Sequence, residues 1–269
     1  MASIIHLPDG RRMSYHLSGS PNSPVVMLSN SLCAPYETWA RVVPVLSAKG
    51  YRILGYDQPG HGASSVPHDL HTTTFDSLAE DAKHLIDYLG IPKLFAWIGV
   101  SMGAATGIVF ATKFPRTIQN LIACDTISCS PINAGTEDVF ASRVNTARRE
   151  GSLDSIIQQT LARWFAKSWR DENPAEVERL LAVMRTTSVD GFAACVNVLT
   201  SPSFDLRPLA PALGDVVERA LFVVGENDAN LLQTMAELKG RVDATRPGVV
   251  SFVVIPRTCL LCRRVRGVP

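Results

Sequence analysis

Leu94-Phe95-Ala96-Trp97-Ile98-Gly99-Val100-Ser101-Met102-Gly103-Ala104 is the stretch on which the fold of this chain turns. Residues 94–98 are a continuous apolar run of strand character, and residues 104–113 suit a helix. Between them lies Gly99-Val100-Ser101-Met102-Gly103. A serine in that pattern sits on a strained strand-to-helix turn, and the glycines let the backbone pass without a Cβ clash. Such a turn presents the hydroxyl as a nucleophile. A serine that merely caps a helix fits the same spacing; the strand before it and the helix after it favour the nucleophile.

Working outward, short apolar runs recur at 25–28, 51–56, 121–124, 220–224 and 249–255. Their continuity predicts strands covered on both faces, and their alternation with helical segments predicts an α/β fold with a mostly parallel sheet. Leu78, Ala82, Leu85, Ile86 and Leu89 share one face of a helix over 76–89, ended by Gly90. Residues 131–202 lack strand-like runs and read as helices at 137–149, 153–165, 174–186 and 191–199. An all-helical block between two strands predicts a cap over the site, with a core of residues 1–130 and 203–269.

Composition bounds the function. The 269 residues are 46% hydrophobic and 19% charged, with a formal net charge of +1. That balance gives no electrostatic case for nucleic acid or an anionic membrane as partner. No secretory leader pattern opens residues 1–10, and no apolar run nears the roughly 20 residues of a membrane span. The six cysteines sit mostly in apolar segments, as reduced thiols of a cytosolic protein do.

Hydrolytic chemistry at Ser101 needs four further groups. Two backbone N–H groups must face the oxyanion, and Met102 and Leu32, in the loop Asn30-Ser31-Leu32-Cys33, are the candidates. An acid must follow a later strand. Asp228, in Gly225-Glu226-Asn227-Asp228, is the best placed, ahead of Glu226 and Asp125. The base is the difficulty. A histidine belongs after the last strand, yet His6, His16, His61, His68, His71 and His84 all precede Ser101. His61 reads as a loop-structuring residue.

These segments carry a resemblance. From Asn30 to about Asp205 the chain resembles the 3-oxoadipate enol-lactonases of the α/β-hydrolase superfamily. The carriers are Asn30-Ser31-Leu32, Tyr56-Asp57-Gln58-Pro59-Gly60-His61-Gly62-Ala63-Ser64-Ser65, Gly99 to Gly103 and Cys124-Asp125-Thr126. Arg163-Trp164-Phe165 and Asp190-Gly191-Phe192-Ala193-Ala194-Cys195 extend it into the cap. The resemblance implies an α/β-hydrolase fold, a small lactone or ester substrate and an acyl-enzyme at Ser101, with no metal or cofactor. It makes Phe140, Arg163, Trp164 and Phe192 the expected cap contacts to substrate. Ala104, Phe140 in place of a cap tryptophan, and the lack of a proline after Asp228 depart from the pattern. Other lactones or esters, carbon–carbon bond hydrolysis, and a non-catalytic ligand-binding role therefore stay open.

The resemblance also implies Gly-His soon after Ile255-Pro256, where the chain has Arg257-Thr258-Cys259-Leu260-Leu261-Cys262. The lone C-x-x-C has no second pair to complete a zinc site. Shifting the possible codons after Pro256 by one nucleotide allows Gly-His and an acidic, aromatic ending. The reading that follows is a frameshift or mis-joined splice site. Losing a triad histidine can cost about 10⁶ in kcat. A missing final helix would uncover core residues worth roughly 1.5–3 kcal/mol each. The expectation is a chain nearly inactive and poorly stable.

Overall fold

The run at 94–100 becomes the inner strand of a parallel sheet. The computed structural model describes residues 2–256. Within them lie strands β1 (Ser3–His6), β2 (Arg12–Ser18), β3 (Val25–Ser29), β4 (Arg52–Tyr56), β5 (Leu94–Val100), β6 (Ile118–Cys124), β7 (Arg219–Gly225) and β8 (Val250–Ile255). They form one sheet in the order β1-β2-β4-β3-β5-β6-β7-β8. β1 and β2 pair antiparallel, as do β2 and β4, and every later pairing is parallel. The mostly parallel α/β sheet expected from the apolar runs is what the chain forms.

The helices are α1 (Val43–Ala48), α2 (Phe75–Tyr88), α3 (Met102–Lys113), α4 (Pro131–Ala134), α5 (Val139–Glu150), α6 (Asp154–Trp164), α7 (Lys167–Glu172), α8 (Pro174–Met184), α9 (Val189–Thr200), α10 (Ala210–Val216) and α11 (Leu231–Asp243). Thr74 caps α2 reciprocally with Ser77, which starts the helix one residue before the apolar periodicity does. Trp97 is fully buried under α3, 5.1 Å from the Phe110 ring and edge-on to Tyr56. The β1–β2 hairpin is tied to α2 by a bidentate pair, Arg11 Nη1 and Nη2 donating to Asp81 Oδ2 and Oδ1 at 2.7 and 2.8 Å.

Helices α5, α6, α8 and α9 share their own apolar cluster, with Ile156, Ile157, Leu161, Trp164, Leu180, Met184 and Phe192 at its centre. This block touches the core backbone to backbone. A Cβ on Gly191 of α9 would lie 2.5 Å from the Cα of Gly60, in the loop after β4. The Gly60 carbonyl accepts the Ser188 N–H at 2.9 Å, which pins the start of α9 to that loop.

Two readings differ from the structure. The apolar run of β8, the edge strand of the sheet, is not covered on both faces among the described residues: Val253 and Val254 are 42% and 38% exposed. The β1–β2 hairpin escapes a search for apolar runs, since its alternation is broken by Ser14 and His16; Asp9-Gly10 between its strands is the turn signal. The departures after Pro256, with Cys259, Cys262 and the frameshift reading, lie outside the described residues.

Candidate active site

Ser101 adopts φ 52° and ψ −116°, a strained conformation for a side chain, between the end of β5 and the start of α3. Its N–H donates to the Cys124 carbonyl at 2.8 Å. Nothing larger than glycine fits behind it: a Cβ on Gly103 would meet the Ser29 carbonyl oxygen at 2.2 Å. Trp97 Nε1 donates to the Gly103 carbonyl at 3.0 Å and fixes the turn against the core.

The loop after β3 is held as firmly. Asn30 Nδ2 donates to the Tyr56 carbonyl at 3.1 Å, and Trp39 Nε1 donates to Asn30 Oδ1. The Cys33 N–H donates to His61 Nε2 at 2.9 Å. His61 Nδ1 lies 2.9 Å from the Pro59 carbonyl, so Nδ1 carries the proton and donates to it. Full burial pushes the His61 pKa down to about 4, against the raising effect of the Pro59 carbonyl. In the loop between them, the Leu32 N–H has no acceptor among the described residues, and neither has the Met102 N–H at the first position of α3.

Ser101, Leu32, Asp228, Phe140, Arg163, Trp164 and Phe192 all line one cavity of about 530 Å³ beneath the helices of the 131–202 segment. Met102 is fully buried in the core and does not line the cavity; its amide opens α3 directly after Ser101. Asp228, after β7, is 8% exposed, and its N–H donates to the Gly225 carbonyl at 3.2 Å. Glu226 does not line the cavity among the described residues.

Two lining residues are stronger than their sequence signal. Asp125, φ 43°, follows β6 directly, and its Oδ1 accepts the Gly225 N–H at 2.8 Å. Burial raises its pKa to about 7, over the lowering effect of that N–H, and the Asp228 charge adds to the rise. Its signal was an acid at the end of the strand beside the elbow. Arg143 lies three residues after Phe140 on α5, the spacing that shares one helix face. Its guanidinium carbon is 5.4 Å from the Phe140 ring centroid, and burial followed by the Arg163 charge lowers its pKa. Neither arginine pairs with a carboxylate among the described residues.

No histidine lines the cavity among the described residues. His16 is stacked on Tyr36 with ring centroids 4.1 Å apart, and His71 lies near Asn197. No cluster of three metal-ligating side chains occurs among the described residues, and no helix among them is long and apolar enough to cross a membrane.

Residues 24–210 match the α/β hydrolase fold family. The chain belongs to it. This α/β hydrolase is enol-lactonase-like. It is 31% identical to 3-oxoadipate enol-lactonase 2 of Acinetobacter baylyi over 73% of its own length and 69% of that protein's. With 3-oxoadipate enol-lactonase 1 of the same organism it shares 30% identity over 71% of this chain and 68% of the relative. The enol-lactonase structure from Burkholderia xenovorans superposes with a TM-score of 0.81 at 28% identity, covering 94% of this chain and 91% of the other.

Proposed function

We propose that this α/β hydrolase opens a small lactone or ester through an acyl-enzyme at Ser101. The observation that carries the reading is the elbow itself: a serine held at positive φ, lining a cavity, between two amides left without acceptors. Ser101 Oγ attacks the carbonyl carbon, and the Leu32 and Met102 N–H groups receive the charge that develops on its oxygen. The ring or ester C–O bond then breaks, and water releases the acid from the serine. The helices of residues 131–202 act as the cap that excludes bulk water.

The cavity also suits an anionic acyl chain. Lactone formation uses one carboxylate of a dicarboxylic acid such as 3-oxoadipate and leaves the other free. Arg143 and Arg163 place two cations in the cavity wall, with Phe140, Trp164 and Phe192 for the carbon skeleton. Turnover is reduced relative to an enzyme with a complete triad, because no histidine reaches the site.

The test is labelling by a fluorophosphonate, with turnover of 3-oxoadipate enol-lactone and p-nitrophenyl esters, on this chain and its Ser101→Ala variant. Labelling and turnover that vanish in Ser101→Ala are expected. The lack of a cavity histidine favours one second reading, a ligand-binding protein without catalysis. Saturable lactone binding with no labelling would select it.

A further inference from the structure

The cavity holds a second carboxylate whose place the acyl-enzyme reading does not explain. β5 and β6 are in register with Val100 opposite Cys124, so the next residues, Ser101 and Asp125, leave adjacent strand ends side by side. The Ser101 N–H to Cys124 carbonyl bond continues that register one residue beyond the strand. Neighbouring strands lie about 4.8 Å apart, which brings both residues to the same end of the sheet. Their side chains are not hydrogen-bonded to each other, so the proton crosses when substrate or a water sits between them. Both line the cavity. Asp125 is 3% exposed, and like Ser101 it has a positive φ, 43° against 52°. Its Oδ1 is occupied by the Gly225 N–H, while Oδ2 receives no hydrogen bond from the described residues.

We propose that the Asp125 carboxylate is the general base that takes the Ser101 proton in this histidine-poor site. The inference rests on the acyl-enzyme reading above. As Ser101 Oγ bonds to the carbonyl carbon, its proton passes to Asp125 Oδ2. The tetrahedral intermediate collapses, the C–O bond of the lactone or ester breaks, and the leaving oxygen takes the proton from Asp125. In the second half, water attacks the acyl carbon, Asp125 accepts the water's proton, and Ser101 Oγ leaves and recovers it. No external acid or co-reactant is needed.

The surroundings make the carboxylate basic enough to serve. Burial raises its pKa to about 7, and Asp228, from the loop after β7, adds like charge. Cys124, beside it on β6, stays a neutral thiol, since burial and then the Asp125 charge push it up to about 12. Arg143 and Arg163, on α5 and α6, line the same cavity, and neither is among the groups that shift Asp125. The active form is the ionised one, so the rate rises with pH through about 7.

The experiment is p-nitrophenyl butyrate hydrolysis from pH 5.5 to 9 by the full 269-residue chain and its Asp125→Asn, Asp228→Asn and Ser101→Ala variants. Asparagine keeps an Oδ1 for the Gly225 N–H, so Asp125→Asn removes basicity rather than the strand contact. A fall of about 100-fold or more with loss of the pH limb near 7 supports the assignment. A rate and limb unchanged in Asp125→Asn overturn it and leave the acyl-enzyme reading standing. A parent chain no faster than Ser101→Ala removes both. If Asp125→Asn does not fold, Asp228→Asn decides: losing the neighbouring charge moves the limb to lower pH under this assignment, and an unmoved limb rejects it.

Discussion

His61 Nε2 accepts the Cys33 N–H while His61 Nδ1–H donates to the Pro59 carbonyl, so both ring nitrogens are committed to backbone groups. The one buried histidine, beside the loop that carries Leu32, is thus a brace, with no lone pair left to take a proton from Ser101.

That brace makes stability depend on pH. The His61 pKa is about 4 in the folded chain, below its ordinary value of 6.5. Below pH 6.5 the unfolded chain takes up a proton that the folded chain refuses, so stability falls as pH drops through this window. Urea unfolding at pH 7 and pH 5 is expected to differ by about 2 kcal/mol from this residue. His61→Ala, already without the brace, loses that part of the difference.

Gly103 has no room for a methyl group, because a Cβ would lie 2.2 Å from the Ser29 carbonyl oxygen. Gly103→Ala must push the elbow away from the loop that carries Leu32. Fluorophosphonate labelling is expected to fall at least about 10-fold, in line with the cost of misplacing a reacting group. Circular dichroism melting reports the accompanying loss of stability.

Arg143 and Arg163 are assigned to a carboxylate on the substrate. Arg143→Gln is expected to raise KM for 3-oxoadipate enol-lactone about 10-fold more than for p-nitrophenyl butyrate, since a hydrogen bond to a charged group contributes about 1.5–3 kcal/mol. Equal effects on both substrates would remove the assignment. Steady-state kinetics on the two substrates measure it.

The Arg11–Asp81 pair is a stability device away from the site. Burial raises the Asp81 pKa, and the Arg11 hydrogen bonds and charge counter it. Arg11→Met strands a carboxylate whose side chain is 7% exposed. A loss of about 3 kcal/mol is expected at pH 7, because a buried charge without its partner is costly. The loss shrinks at low pH as Asp81 takes a proton. Urea titration at both pH values follows it.

Much of this was legible in residues. The Gly99 to Gly103 pattern after an apolar strand gave the elbow, and long parallel runs gave the sheet, since both rest on local sequence. Leu32 follows from the loop after an early strand, and Phe140, Arg163, Trp164 and Phe192 from resemblance; the structure gathers them with Ser101 and Asp228 around one cavity. What the sequence could not show depends on distant strands meeting. Asp125 looks like any turn acid until β7 brings the Gly225 amide to it. His61 reads as a loop-structuring residue, but the groups it ties, the Cys33 amide and the Pro59 carbonyl, show only in the fold. Arg143 looks like a solvated helix charge until α6 sets Arg163 against it.

The contact between Gly60 and Gly191 fixes one point at which this molecule cannot give way. Two backbones meet there with no side chain between them, and the Ser188 N–H is bonded across the junction. A joint without side chains has no cushion: α9 cannot roll or slide over the Gly60 loop without parting main chain from main chain. The junction therefore holds α9 at a fixed distance from the loop after β4, and with it the part of the chamber wall that Phe192 supplies.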